Sequence, residues 1–294
     1  MFHPARSFRS ARHIEPDRRD LIFLFTERLL KGLADYHTHT PLCGHAVGSP
    51  DDFIRAAVRA GLSEIGFSDH APLPAGLREG ITMRPEQVED YLSLVEAARL
   101  RHGDAITVKT AMEVDFPFHE SFDRRYLTDV RIDYLIGSCH FIDGWGFDNP
   151  EHLHEFDQRD IDSVYDDYFA ILSSLIAADV FNIVGHFDLV KKFGHHARAD
   201  HSATVRRIAV ECAERDIAVE INTSGLRKPA GEMYPSGSIL SILFDAGVPL
   251  TLGSDAHNPD EVGYEFSLAV GAAKKAGYRS ISGFSRRERY DIPL

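Results

Sequence analysis

From residue 33 onward, short apolar runs alternate with longer amphipathic stretches. Seven runs read as strands, over residues 33–38, 63–69, 106–114, 132–139, 180–186, 217–223 and 248–254. They are rich in Ile, Val, Phe and Tyr. Several are apolar at consecutive positions, as in Tyr134-Leu135-Ile136-Gly137, the pattern of a strand buried on both faces. Helical spacing occupies 51–60, 86–101, 161–178, 201–215, 237–246 and 259–276. Ser49-Pro50-Asp51 gives a start signal for the first of these and Ser236 for the fifth. No internal repeat or low-complexity tract interrupts the alternation.

Strand–helix alternation implies parallel strands joined by crossover helices. Seven such units fit a closed barrel better than an open sheet. The predicted fold is α/β, an irregular seven-stranded TIM-like (β/α)7 barrel; an open doubly wound sheet is the alternative. The predicted domain runs over residues 33–294, with 1–32 as an N-terminal extension. Residues 1–14 carry Arg6, Arg9 and Arg12 with Ser7 and Ser10 and no acid, a faint likeness to a transit peptide; the plainer reading is an extension ahead of the domain. No glycine-rich phosphate loop follows the first strand, where Asp35-Tyr36-His37-Thr38-His39 stands instead, which weakens a dinucleotide or P-loop reading.

Composition narrows the class. The 294 residues include 32 basic and 45 acidic side chains, a formal net charge of −13. That balance argues against nucleic acid and against an anionic membrane as partner, since both need a basic face. The longest early apolar run, Leu21 to Phe25, is far short of the ~20 residues a membrane span needs. Three scattered cysteines, Cys43, Cys139 and Cys212, give no disulfide framework and point to a reducing, cytoplasmic setting. Histidine, usually scarce, occurs 16 times.

The histidines matter through their positions. The first predicted strand ends in His37-Thr38-His39, the second in Ser68-Asp69-His70 and the third in Met112-Glu113-Val114-Asp115. The fourth ends in Ser138-Cys139-His140, the fifth in Gly185-His186 and the seventh in Ser254-Asp255-Ala256-His257. In a parallel barrel those ends converge on one rim, where such folds carry their active sites. Side chains at i and i+2 of an extended segment point to one side, so His37 and His39, or Asp255 and His257, can reach one ion. Imidazole with carboxylate suits zinc, manganese or iron. One H-x-H is a weak signal, and a lone His70, His140 or His186 is ordinary; ligand types on six strand ends together are not.

These strings, with Gly66-Phe67-Ser68-Asp69-His70 and Ser254-Asp255-Ala256-His257, resemble the PHP (polymerase and histidinol phosphatase) superfamily over residues 35 to about 285. His39-Thr40-Pro41-Leu42-Cys43-Gly44-His45-Ala46, Gly137-Ser138-Cys139-His140-Phe141-Ile142 and Asn222 to Pro229 resemble its monofunctional histidinol-phosphatase branch. The resemblance implies three divalent metal ions (Zn, Mn or Fe) and nine ligand positions, all filled here. His37, His39, Glu113 and Asp255 match the ligands of one ion and His45, His70 and His257 those of a second. Glu113, His140 and His186 match those of a third. It also implies hydrolysis of a small-molecule phosphomonoester, L-histidinol phosphate; the chemistry of divalent ions points to direct attack by metal-activated hydroxide without a phosphoenzyme. Glu113, Asp255, His257 and Asp69 form the expected catalytic group, Asp69 either orienting an imidazole or carrying a proton. Arg227 is the expected phosphate clamp, with Lys192 (or Lys191) and Arg84 as weaker substrate contacts. Three divalent ions against two ligand carboxylates make the pocket cationic despite the acidic surface.

Other residues read as structural. Trp145 packs a rim loop or lines the pocket. His195, His196 and His201 are solvated, and His3, His13, His102, His119, His152 and His154 stand outside the motifs. Asp157, Asp160, Asp162, Asp166 and Asp167 form a solvated face, and neither Cys43 nor Cys139 has a base to make it a nucleophile. Two rival functions remain: a PHP phosphoesterase acting on a nucleotide, nucleic-acid end or sugar phosphate, and a non-catalytic metal-binding module, against which the full ligand set counts.

Overall fold

A computed structural model describes residues 30–118 and 123–294. Most of the extension expected over 1–32, with the Leu21–Phe25 run, and His119 lie outside the described residues. Seven strands form one parallel sheet in sequence order: β1 (Ala34–Thr38), β2 (Glu64–Phe67), β3 (Thr107–Asp115), β4 (Tyr134–Ser138), β5 (Ile183–Val184), β6 (Ala218–Asn222) and β7 (Leu250–Gly253). Every neighbouring pair is parallel. The sheet curls until β7 meets β1, and the chain just beyond β7 bonds to the end of β1: Thr38 pairs with Ala256, His39 N–H donates to Ala256 O (2.9 Å), and Ala256 N–H to His37 O (3.2 Å). The barrel is therefore sewn shut at its C-terminal rim, through the H-x-H and D-x-H strings themselves, and the open-sheet alternative falls away.

Among the described residues six α-helices of nine residues or more cover the outside: α1 (Pro50–Ala60), α2 (Val88–His102), α3 (Ile161–Ala177), α4 (Ser202–Glu214), α5 (Gly237–Asp245) and α6 (Phe266–Ala276). The Ser49 signal is realised as a full capping box with Asp52, and Gly61 in the left-handed region ends α1. Helix α2 buries Val88, Tyr91, Leu92, Val95 and Ala98, one face of a 3.6-residue period. The Tyr91 hydroxyl reaches between β2 and β3, near Phe67 O (2.6 Å) and Ala111 O (2.7 Å).

Several expectations need correction. Ser236 precedes α5, but its hydroxyl makes no cap bond; its backbone N–H donates to Asp188 instead. The last helix starts at Phe266, not 259, because Pro259–Glu261 forms a separate 3-10 turn and Gly263 and Glu265 then take positive φ (67° and 53°). Strand β5 is only two residues long, since the chain turns at His186 (φ 21°) to aim that side chain inward. A C-terminal hairpin, β8 (Ser280–Ser285) and β9 (Glu288–Pro293), had no counterpart in the sequence reading. Its turn is Arg286-Arg287, both at positive φ (50° and 72°), where Asn-Gly would have given the usual signal.

The hairpin packs aromatic side chains near the strands' N-terminal halves. Phe284 meets Tyr36 and Tyr134 with ring centroids 6.1 and 5.7 Å apart. The Tyr134 hydroxyl donates to Tyr36 O (2.6 Å). It passes directly over Gly66, where a Cβ would lie 1.7 Å from that oxygen.

Candidate active site

All nine expected ligand positions come together at the rim. The Glu113 carboxylate, itself buried, is the hub. Its Oε2 lies 3.2 Å from His37 Nε2, 3.7 Å from His39 Nε2 and 3.0 Å from His70 Nδ1. Its Oε1 lies 3.6 Å from His140 Nε2 and 3.0 Å from His186 Nε2. Asp255 forms a second, shallower focus, with Oδ1 3.2 Å from His39 Nε2 and 3.8 Å from His37 Nε2. His45 and His257 complete the outer end, their rings stacked at 4.6 Å, while His257 stacks on His39 at 4.0 Å. His37, His39 and Asp255 are close enough to share one ion, as are His45, His70 and His257. The first trio holds three of the four residues expected for one ion and the second the three expected for another, while a further trio, His39, His70 and Glu113, cuts across the expected sets.

What surrounds the rings fixes which nitrogen faces inward. His37 Nδ1 lies 2.7 Å from Glu220 and His140 Nδ1 2.7 Å from Asp115. His45 Nδ1 lies against Cys43 O and His257 Nδ1 against Asp255 O, both at 3.1 Å. A proton held on Nδ1 leaves the Nε2 lone pair free for the centre. His37 Nε2, both ring nitrogens of His39, His70 Nδ1 and His257 Nε2 are buried without a hydrogen-bond partner among the described residues. Such orphaned nitrogens facing carboxylates are costly in a plain core. They are the donor set of a divalent-metal centre, so the residues fit the ions expected.

The electrostatics agree. Burial raises the pKa of Glu113 and Asp255, yet the surrounding imidazoles win and hold both carboxyls well below their usual range. Burial and neighbouring imidazoles keep His70 and His257 well below theirs, hence neutral. At His39 burial pulls downward too, but Asp255 and Asp69 prevail and lift it to about 9. Despite burial, neighbouring carboxylates, Glu220 first at His37 and Asp115 first at His140, raise those two rings as well, so metal and proton compete at all three. Local backbone strain collects here as well: Asp255 sits at φ 53° and His186 at φ 21°.

A cleft of about 820 Å³ opens above this floor, lined by His45, His140, Lys192, Arg227 and Tyr234 among others. Lys192 Nζ bonds Asp148 Oδ2 (3.0 Å) at its edge. Arg227 spends Nη2 on Ser254 O (2.9 Å), while its Nη1 is buried without a partner among the described residues. Lys191 turns away to Asp188 and Glu232, both at 2.9 Å. Arg84 is exposed at the start of the 3-10 turn Pro85–Gln87 and does not line the cleft, a correction to its expected substrate contact. Asp69 is wholly buried behind His39 (3.7 Å) and bonds Thr40 and the His70 N–H. It is absent from the cleft lining. Trp145 packs on Phe156 and Arg159 and is off the cleft. His195 and His201 stack on Phe156 and Tyr165, where solvated rings were expected. Asp160 caps α3, and Asp162 accepts from Arg198 and Ala199.

Three carboxylates escaped the sequence reading as functional residues. Glu220, on β6, binds His37 Nδ1, the His186 N–H (2.9 Å) and Asn222 Nδ2 (3.0 Å). Gly253 makes room for it, since a Cβ there would lie 1.8 Å from Glu220 Oε1. Asp115 holds His140. Asp35 ties β1 to Ser254 and to the Gly263 N–H. An acid in the otherwise apolar run Ile217-Ala218-Val219-Glu220-Ile221 was the available signal.

The PHP domain family model matches residues 35–224. A Deinococcus radiodurans protein named as a probable histidinol-phosphatase is 38% identical over 255 residues, 86% of this chain and 97% of its own. Histidinol-phosphatase of Bacillus subtilis is 29% identical over 262 residues, 79% of this chain and 96% of its own. The crystal structure of histidinol phosphate phosphatase from Lactococcus lactis, complexed with zinc, L-histidinol and phosphate, matches with a TM-score of 0.75 at 21% identity. That match covers 88% of this chain and 99% of the other and shows a common fold.

Proposed function

The chain belongs to the PHP family, and from that premise we propose that this phosphatase hydrolyses L-histidinol phosphate to L-histidinol and inorganic phosphate with the help of three divalent ions, Zn, Mn or Fe. The observation that carries the reading is the hub at Glu113: five imidazoles around one buried carboxylate, beneath a cleft edged by Lys192 and Arg227. Relatives bearing the histidinol-phosphatase name along nearly their whole length support the substrate.

His37, His39, Glu113 and Asp255 would hold one ion, His45, His70 and His257 a second, and Glu113, His140 and His186 a third. The chemistry such ions would supply there is activation of water at neutral pH and neutralisation of phosphoryl charge. The chain's own residues do the rest. Glu220 and Asp115 keep protons on Nδ1 of His37 and His140, so that their Nε2 atoms face the centre. Asp69 braces the backbone beside two ligand positions, accepting from the Thr40 and His70 N–H groups. Arg227 Nη1 and the Lys192 ammonium draw the anionic end of the substrate to the floor of the cleft. The cytoplasm is the proposed setting, in keeping with three buried free thiols. Among the described residues no helix is long and apolar enough to cross a membrane.

The test is phosphate release across a panel of small phosphomonoesters, including nucleotides and sugar phosphates, with metal content measured on the same sample. Histidinol phosphate is expected to give the highest kcat/KM. Protein that hydrolyses others well and leaves histidinol phosphate intact overturns the substrate.

A further inference from the structure

Tyr234 has no role in the chemistry above, yet its phenol is held at the cleft with unusual rigidity. Its backbone pairs both ways with Asn222 at the end of β6: Asn222 N–H donates to Tyr234 O (2.6 Å) and Tyr234 N–H to Asn222 O (2.9 Å). Asn222 in turn touches Glu220 (3.0 Å) and Asp255 (3.4 Å), so the loop carrying Tyr234 is pinned to the carboxylates of the metal site. The ring is buried and held on several sides. Gly225 lies against it so closely that a Cβ there would stand 2.9 Å from Cε2 and Cζ. The Lys191 ammonium sits 5.5 Å from the ring centroid, and the His186 ring meets it edge-on at 6.5 Å.

The ring lines the cleft, and its Oη is buried without a hydrogen-bond partner among the described residues. A buried hydroxyl left in that state destabilises a fold, and phenylalanine would fill the same space without the penalty. Arg227 Nη1, on the same loop and the same cleft, is in the same condition. The other Arg227 contacts, to Ser254, Asp255 and Glu261, hold the guanidinium in place. A phenol ordinarily keeps its proton to about pH 10. Two donors are thus left over beside the metal-ligand cluster. A phosphoryl group offers acceptors only and matches both, whereas an ammonium-bearing alcohol would bring further donors.

We propose that Tyr234 contacts substrate: its Oη donates a hydrogen bond to a phosphoryl oxygen of the bound phosphomonoester, alongside Arg227 Nη1. The inference rests on the phosphomonoesterase reading above. It is tested on the full-length, metal-loaded protein by titrating inorganic phosphate calorimetrically into wild type and Tyr234→Phe. Thermal melting and the kinetic constants are measured on the same samples. Phosphate is expected to bind the variant about tenfold to a hundredfold more weakly, the range for a lost hydrogen bond to a charged group. Melting should stay where it was or rise, because only an unpartnered hydroxyl is removed. A merely structural tyrosine would lower the melting temperature and leave phosphate binding alone. Variant and wild type binding phosphate within twofold of each other overturns the proposal, as does a wild type that binds no phosphate. A wild type that binds phosphate, loses that affinity in Tyr234→Phe and leaves histidinol phosphate intact sustains the contact while overturning the substrate named above.

Discussion

The barrel rim and the aromatic layer toward the strands' N-terminal halves are built on opposite terms. Near the hairpin, Tyr36, Tyr134 and Phe284 close the interior with rings, and the Tyr134 hydroxyl is satisfied by a backbone carbonyl. At the rim the same strands end in imidazoles and carboxylates, several ring nitrogens have no partner, and two residues leave ordinary backbone geometry. The aromatic layer is stable without help; the rim spends folding energy on groups that are rewarded only when ions and substrate arrive. Substitutions should separate the two: changes at the rim should alter chemistry and metal content, changes in the aromatic layer stability.

The largest effect expected is for Glu113→Gln, which removes charge from the hub. Phosphate release should fall to the uncatalysed background and the bound metal measured by mass spectrometry should drop, while the metal-free protein melts no lower than metal-free wild type. A Glu113→Gln protein with full metal content would break the contrast. Phe284→Ala should do the reverse. It should cost ~3–5 kcal/mol in denaturant unfolding, the usual range for a buried aromatic truncated to alanine, with kcat unchanged in the folded fraction. Glu220→Gln should lower metal affinity or kcat/KM by roughly 10–100-fold, as losing a carboxylate behind a ligand imidazole does. Its unfolding free energy should move far less than that of Phe284→Ala.

Lys192→Met probes the edge of the rim by pH. Burial raises the Asp148 pKa, but Lys192 and then His140 outweigh it, and the carboxyl sits below its ordinary value. A carboxyl depressed on folding stabilises the protein above its unfolded pKa and loses that contribution as pH falls through the folded value. Without Lys192 the Asp148 pKa rises. The acid-unfolding midpoint of the metal-free variant should therefore shift to higher pH; an unchanged or lower midpoint would count against the pair. The smallest effect belongs to Ser236→Ala. A capping serine is worth ~1 kcal/mol. This hydroxyl caps nothing, so the change should stay within ~0.5 kcal/mol in unfolding titrations.

Most of the architecture and eight of the nine clustered side chains were legible because both follow from one-dimensional spacing; His45, in the loop after β1, came only with the family resemblance. Apolar runs mark strands, and residues at strand ends share a rim once the strands are parallel. Glu220 was not, because it lies inside an apolar strand and meets His37 183 positions away. Nor was the β8–β9 hairpin, whose Arg-Arg turn gives no glycine or asparagine signal. Rim arginines and lysines are ambiguous in sequence for a similar reason. Arg84, Lys191, Lys192 and Arg227 all follow strands, and only the loop paths decide that two of them reach the cleft.

The seam between β1 and the segment after β7 has a consequence for how the protein is made. Asp35 and Ser254, which face each other across it, are 219 positions apart, and His37, His39, Asp255 and His257 straddle the same join. A chain emerging from the ribosome carries the first pair of donors for most of its synthesis without the second. A product truncated before residue 250 therefore has neither a closed barrel nor a finished set of ligands. On the proposed ligand assignment, capture of a full complement of ions would require synthesis to have passed His257.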